Sequence, residues 1–176
     1  MNSGLSGFTL THSDIGGYTN LRGIDGTDYI RTEVFMTRWI EMAAFSDIVM
    51  RSHPSNMPET LQLWSSPRII LHLKKFVDIH VALRTYKQFL IEEATKNGTP
   101  VVRPLMLHFP TDIEARKIYS QFMLGENILV TPVFGEMEHV DVYLPGETEW
   151  THLWTGTTYK VKRDGLNLRN FLVMHG

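Results

Sequence analysis

The strongest constraint on this chain is a change of texture at Gly125. Before it, apolar residues recur at helical spacing around a single strand-like run; after it, short aromatic and β-branched stretches follow one another with no helical pattern between them. The strand-like run, 101–109, reads Val-Val-Arg-Pro-Leu-Met-Leu-His-Phe, largely apolar and suited to burial on both faces of a parallel sheet. Pro104 argues against a central antiparallel position. A parallel strand needs parallel neighbours, and the first 125 residues offer only one or two candidates, so they read as the end of a larger α/β unit.

The helical patterns fall at 28–45, with Asp28 as N-cap and Ile30, Val34, Trp39 and Met42 in phase, and at 66–97. In the second, Ser66 caps and Pro67 takes the first position, while Ile70, Leu73, Val77, Val81 and Phe89 continue an apolar face. One long helix, or two meeting near His80, both fit. A shorter helix is expected at 113–123. The first 27 residues, with Gly16-Gly17, Gly23 and Gly26, read as a short strand and a long loop, and 50–65 as a proline-broken loop holding Pro54 and Pro58. Strands are expected at 128–134, 139–144, 150–154, 158–161 and 171–174, separated by Pro145-Gly146, Thr155-Gly156 and Asp164-Gly165.

Composition narrows the function classes. A hydrophobic share of 43% with 20% charged residues is that of a folded globular chain. The net charge is −2 and the basic residues are scattered, which speaks against nucleic acid or anionic lipid as partner. No apolar window approaches the roughly 20 residues that span a bilayer. The N-terminus has neither a basic nor a continuous apolar region, so no signal peptide is expected; a truncated chain would have lost one, and compartment and oligomeric state stay open. Cysteine is absent, and the eight histidines form no H-x-H or H-x-x-x-H pair, so neither a metal nor a cofactor is expected. Walker, dinucleotide and nucleophile-elbow motifs are also missing.

Two local sequences carry candidate chemistry. In His12-Ser13-Asp14-Ile15-Gly16-Gly17-Tyr18, a carboxylate at a strand end is followed by two glycines that let backbone approach a ligand, which suits two vicinal hydroxyls of a sugar. The same residues suit an aspartate capping a turn, and spacing alone does not choose. In Arg51-Ser52-His53, an imidazole can donate to one hydroxyl and accept from another, while Arg51 could orient Asp14. Trp39, Trp64 and Tyr18 could each offer a stacking face, although aromatics at helical spacing are more often core, Trp39 above all.

An ordered series extends these two. Gly4-Leu5-Ser6-Gly7, the His12 to Tyr18 motif, Arg38-Trp39 with Ala44-Phe45, Met50-Arg51-Ser52-His53, Gly98-Thr99-Pro100-Val101-Val102-Arg103-Pro104-Leu105, Tyr119 to Gly125 with Ile128 to Val133, Val142-Tyr143-Leu144-Pro145 and Trp150 to Gly156 together resemble glycoside hydrolase family 31. The resemblance covers nearly the whole chain. The tyrosine after the two glycines is closest to the family's sulfoquinovosidase subgroup, whereas 53–59 departs from that subgroup's usual loop and leaves the choice of sugar open.

What the resemblance implies is an α/β plus all-β chain: the C-terminal portion of a (β/α)8 TIM barrel over 1–125, followed by a small antiparallel β-sandwich domain over 126–176, whole or in part. It also implies that Asp14 and His53 bind glycon hydroxyls and that Tyr18 helps hold a sulfonate; Arg51 joins the candidate substrate-binding residues from its own position, as the group that could orient Asp14. The nucleophile and the acid/base of a retaining α-glycosidase would precede this segment, and neither Asp47 nor Glu59 takes a family role. The expected function is therefore that of an α-glucosidase-type or sulfoquinovosidase-type hydrolase, acting on a small glycoside, in a segment inactive alone. A non-catalytic carbohydrate-binding fragment and a truncated gene product without activity of its own are the alternatives.

Overall fold

Helix α1 (Glu33–Ser46) starts at Thr32, whose hydroxyl accepts the Phe35 N–H at 3.1 Å, and not at Asp28 as expected. Asp28 instead belongs to strand β2 (Asp28–Tyr29), which pairs antiparallel with β1 (Leu21–Arg22). A backbone paired across a ribbon has no hydrogen bonds to spare for a helical turn. The computed structural model describes residues 2–22, 28–57 and 59–173. The expected loop residues Gly23, Gly26 and Pro58, and Met174 of the last strand, lie outside these.

Of the two candidate helices after α1, the chain forms both. Ser66 caps α2 (Pro67–Ala82) by accepting the Ile69 N–H at 3.2 Å, and α3 (Arg84–Asn97) follows after a break at Leu83, close to the expected junction. The buried face differs from the expected one. Ile69 and Phe76 are fully buried and Leu73, between them, packs against the core, whereas Ile70, Val81 and Phe89 are exposed. The sequence carries two apolar stripes on α2, and packing against α1 selects the one phased through Ile69. Met36, Ile40, Ala43 and Ala44 form the matching face of α1, with Trp39 and Met42 at its flank.

The run at 101–109 is not one parallel strand. Strand β3 (Val102–Pro104) is three residues long and pairs antiparallel with β4 (Phe122–Leu124), which pairs antiparallel with β5 (Ile128–Val130). Pro104 ends β3, having no N–H to offer, and a one-turn helix α4 (Leu105–His108) follows. Burial on both faces holds: all three β3 residues are buried. The helix expected at 113–123 shrinks to a 3-10 turn at Ala115–Lys117. Gln121 pins the chain in extended form by accepting the Tyr143 N–H at 2.8 Å and donating to its carbonyl at 2.9 Å.

Parallel pairing occurs at the N-terminal segment. Ile48 N–H bonds Thr11 O at 3.2 Å, Ile15 N–H bonds Arg51 O at 2.8 Å, and Asp14 and Arg51 form a single parallel bridge. Val101 N–H bonds Thr9 O at 2.9 Å on the other side, so residues 9–15 lie between two extended segments.

Beyond these, β6 (His139–Leu144) has the expected bounds and pairs antiparallel with β9 (Leu166–Leu172), with a register shift between Val140 and Val142. The hairpin β7 (Glu149–Thr151) and β8 (Thr158–Lys160) is inserted between them in sequence. Trp154 sets its ring edge-on to Phe76 of α2, with centroids 6.1 Å apart, and Lys75 Nζ stands 5.1 Å from the Trp154 centroid. Tyr143 joins the β-domain to the segment before it, its hydroxyl donating to Asp112 at 2.7 Å. Among the described residues no helix is long and apolar enough to cross a membrane.

Candidate functional site

Residues 14–17 close a tight turn at the end of the parallel segment, with Gly17 N–H donating to Asp14 O at 2.7 Å. Both glycines have φ near +86°, a backbone region L-residues avoid. Their surroundings differ. A Cβ on Gly16 would overlap Met36 Sδ and come within 2.9 Å of Arg31 Cδ and Nε, while a Cβ on Gly17 meets nothing within 4 Å. Only the second glycine leaves an open face for a ligand. The first is there to admit Arg31 and Met36, which corrects the expectation that both serve ligand approach.

Asp14 sits in this turn with its side chain 19% exposed, and Arg51, 53% exposed, brings Nε to 3.0 Å from Oδ1. The distance supports charge attraction, but the Nε–H is not aimed well enough to be a hydrogen bond. His12 Nε2 is a further 3.9 Å neighbour. Oδ1 of Asp14 is thus buried, and among the described residues no donor hydrogen-bonds to it. A buried carboxylate oxygen in that state is costly unless something else supplies the donor.

His53 and Tyr18 form the adjoining pair. Their rings stack with centroids 4.0 Å apart, and Tyr18 is 60% exposed. His53 Nδ1 lies 3.0 Å from Tyr18 O and 3.2 Å from the Ser55 N–H. The carbonyl requires a proton on Nδ1 and the amide requires none. The two contacts call for opposite tautomers of one nitrogen, and Nε2 accepts in the first and donates in the second.

Second-line contacts fix both pairs. Ser52 Oγ donates to Ile15 O at 2.6 Å. Asp47, fully buried, accepts from Ser13 N–H at 3.0 Å, Ser13 Oγ at 2.6 Å and Ser46 Oγ at 2.8 Å, and Trp39 Nε1 donates to Ser13 Oγ at 2.9 Å. Lys87 Nζ donates to Ala44 O at 2.9 Å and Asp47 O at 2.7 Å. Burial pulls the Lys87 pKa down to about 8, against the opposing charge of Asp47. Arg31, 3% exposed, donates to the carbonyls of Gly16, Gly17, His53 and Leu61. Desolvation lowers its pKa, with the Asp14 charge acting in the opposite sense.

Of the four expected residues, Asp14 thus meets Arg51 and Tyr18 meets His53, and Arg31 and Ser52 tie the two segments that carry these pairs. Trp64 stands in the second loop, 67% exposed, and Trp39 is committed to Ser13. Sequence reasoning missed Arg31 and gave Asp47 no role. Nothing in periodicity marks a buried arginine between a glycine-rich loop and a helix. A cleft of about 700 Å³ opens elsewhere, between α1, α2 and the β-domain, lined by Phe45, Phe76, Trp150, Trp154 and Phe171. It is apolar and contains none of the four residues, so size does not locate the chemistry here. Among the described residues no group of three His, Asp or Glu is placed to hold a metal ion.

Residues 1–87 match the glycosyl hydrolases family 31 TIM-barrel domain, and residues 98–171 match the glycosyl hydrolase family 31 C-terminal domain. The chain belongs to glycoside hydrolase family 31. Among the family's members, a sulfoquinovosidase of Agrobacterium fabrum is 41% identical over 167 residues, covering 93% of this chain and 24% of that protein. A sulfoquinovosidase of Escherichia coli is 34% identical over 158 residues, covering 89% of this chain and 22% of that one. A solved family 31 sulfoquinovosidase from E. rectale, in complex with an aza-sugar inhibitor, superposes with a TM-score of 0.84 at 37% identity, over 98% of this chain and 25% of its own. The chain spans about a quarter of the length of these relatives. The C-terminal match begins at residue 98, before the change of texture at Gly125, and the β3-β4-β5 sheet runs across that glycine.

Proposed function

We propose that this chain supplies the glycon-binding rim of a retaining α-glycosidase of sulfoquinovosidase or α-glucosidase type, with 1–125 as its barrel portion and 126–176 as its β-domain. The observation that carries the reading is that Asp14, partly exposed and held by Arg51, and the Tyr18–His53 stack stand on two segments that Arg31 and Ser52 tie together. A pyranose answers these groups: one hydroxyl donates to Asp14, a neighbouring hydroxyl hydrogen-bonds His53 Nε2, and the guanidinium of Arg51 holds the carboxylate in place. Tyr18, exposed at the edge of the stack, faces the substituent that distinguishes one glycon from another, and in a sulfoquinovoside that is the sulfonate.

Retaining hydrolysis needs a nucleophilic carboxylate and a protonated acid about 5 to 5.5 Å apart. Asp14 is engaged in binding, and Asp47 is spent on Ser13 and Ser46. Glu41 is paired with Arg38 at 3.0 Å. The 176 residues thus bind without hydrolysing. Calorimetric titration with methyl α-glucoside and methyl α-sulfoquinovoside tests the grip: heat is expected with wild type and lost with Asp14→Ala, and no heat at millimolar sugar overturns the reading. Turnover of an aryl α-glycoside by the purified chain, abolished by Asp14→Ala, overturns the second half.

A further inference from the structure

We propose that Arg31 is the positioning residue that fixes the distance between the Asp14 turn and the His53 loop, so that both reach one sugar at once. The inference rests on the binding reading above. A buried guanidinium ordinarily answers a carboxylate held against it. Arg31 spends four of its five donors on main-chain carbonyls instead: Nε on Gly16 O at 2.9 Å, Nη1 on Leu61 O at 3.3 Å, and Nη2 on both Gly17 O and His53 O, the last at 2.7 Å.

The shared nitrogen is the decisive feature. Gly17 belongs to the turn that presents Asp14, and the His53 carbonyl belongs to the residue that presents the imidazole, so one atom ties the two gripping elements together. The planar fork holds the peptide planes of Gly16 and Gly17 in register with that loop. Gly16 itself has no side chain because Arg31 Cδ and Nε occupy the space a Cβ would need. The ladder at 14–51 is a single parallel bridge, so side-chain bonds carry the rest: Ser52 Oγ reaches Ile15 O and the Asn20 N–H reaches Ser55 Oγ and Asn56 Oδ1, while Arg31 alone of these joins Gly16, Gly17 and His53 at once. Lysine, a point charge on a flexible stem, cannot reproduce four bonds in one plane.

The test uses the whole chain as wild type, Arg31→Lys and Arg31→Ala, each checked for folding by circular dichroism, with methyl α-glucoside and methyl α-sulfoquinovoside as probes. Arg31→Lys is expected to keep the fold and weaken sugar binding about tenfold or more. It should also raise amide exchange at Gly17 and Ser55 together. Arg31→Ala should lose binding further and recover part of it in millimolar methylguanidinium, a rescue that general destabilisation does not give. If Arg31→Ala does not fold, the lysine variant alone decides. Wild-type affinity in Arg31→Lys, or loss in Arg31→Ala with no rescue, overturns the inference while leaving the site reading standing. A wild-type chain that binds neither sugar overturns the site reading itself, and with it the role given to Arg31.

Discussion

Adjacent glycines with the same backbone and different surroundings allow one steric claim to be isolated. Gly16 and Gly17 both have φ near +86°, so placing alanine at either costs about 1 to 2 kcal/mol in backbone strain. At Gly17 that is the whole penalty, since an added methyl meets nothing within 4 Å. At Gly16 the methyl overlaps Met36 Sδ and lies 2.9 Å from Arg31 Cδ and Nε. Met36 is fully buried and Arg31 is tethered to four carbonyls, so neither can withdraw cheaply. Forcing a group into such packing adds about 1 to 3 kcal/mol. Gly16→Ala should therefore destabilise by about 2 to 5 kcal/mol and Gly17→Ala by about 1 to 2. Urea unfolding followed by tryptophan fluorescence, with equal m-values for the two variants, reads the difference directly. Equal losses, or a larger loss for Gly17→Ala, would refute the claim that Arg31 and Met36 fill the space beneath the turn. Sugar titration gives the reverse order per unit of stability lost: the Gly17 methyl projects into the open face and should weaken binding.

Lys87 makes stability depend on pH with a definite sign. Its folded pKa, about 8, lies below the usual 10.5, so between these values the unfolded chain binds more protons and stability rises with pH; the gain is complete above the unfolded value and lost as pH falls through about 8. The effect is at most about 3 kcal/mol, and Lys87→Met should flatten the slope in denaturation measured at a series of alkaline pH values; an unchanged slope would assign it elsewhere. Asp47→Ala leaves the Ser13 N–H and hydroxyl without their acceptor and should cost about 1 to 3 kcal/mol together with sugar affinity, whereas full affinity would show that Ser13 does not hold Asp14 in place. Trp154→Ala removes the edge contact with Phe76 and the cation contact with Lys75, worth about 1 to 2.5 kcal/mol together, and a melting temperature equal to wild type would show that the hairpin does not lean on α2.

The legible parts of the sequence were those where a local rule meets no competitor. Ser66 and Pro67 announce the start of α2 because cap and first-turn chemistry are settled within four residues. The bounds of β6 follow from its β-branched and aromatic residues and the Pro145-Gly146 turn that ends it. Where two local solutions were available, tertiary packing chose. Asp28 is an acceptable N-cap, yet pairing with Leu21–Arg22 claims its backbone and Thr32 caps instead. The apolar letters of 101–109 fit a long strand, but Pro104 stops the ladder after three residues and the partner β4 runs antiparallel. Among site residues, Asp14 and His53 stood out through their neighbours in the chain. Arg31 and Asp47 did not, because what makes them matter is carbonyls and amides contributed from residues more than a dozen positions away.

That contrast bears on how the rim keeps its shape. A sheet normally fixes strand ends by a ladder of bonds, but the Asp14 and Arg51 segments share one bridge, in which Asp14 itself sits and beyond which His53 lies two residues on. The geometry is held by side chains reaching backbone: Ser52 to Ile15 O, Asp47 to the Ser13 N–H, Arg31 to the carbonyls of Gly16, Gly17 and His53. Such contacts cost desolvation that a β-ladder would not, most of all for the buried guanidinium. What they give in return is independence. The turn and the His53 loop can differ in sequence, while the backbone carbonyls that Arg31 reads are the same for any residue. On the binding role proposed for this site, such a rim would let the edge at Tyr18 and the loop after His53 change without moving Asp14 and His53.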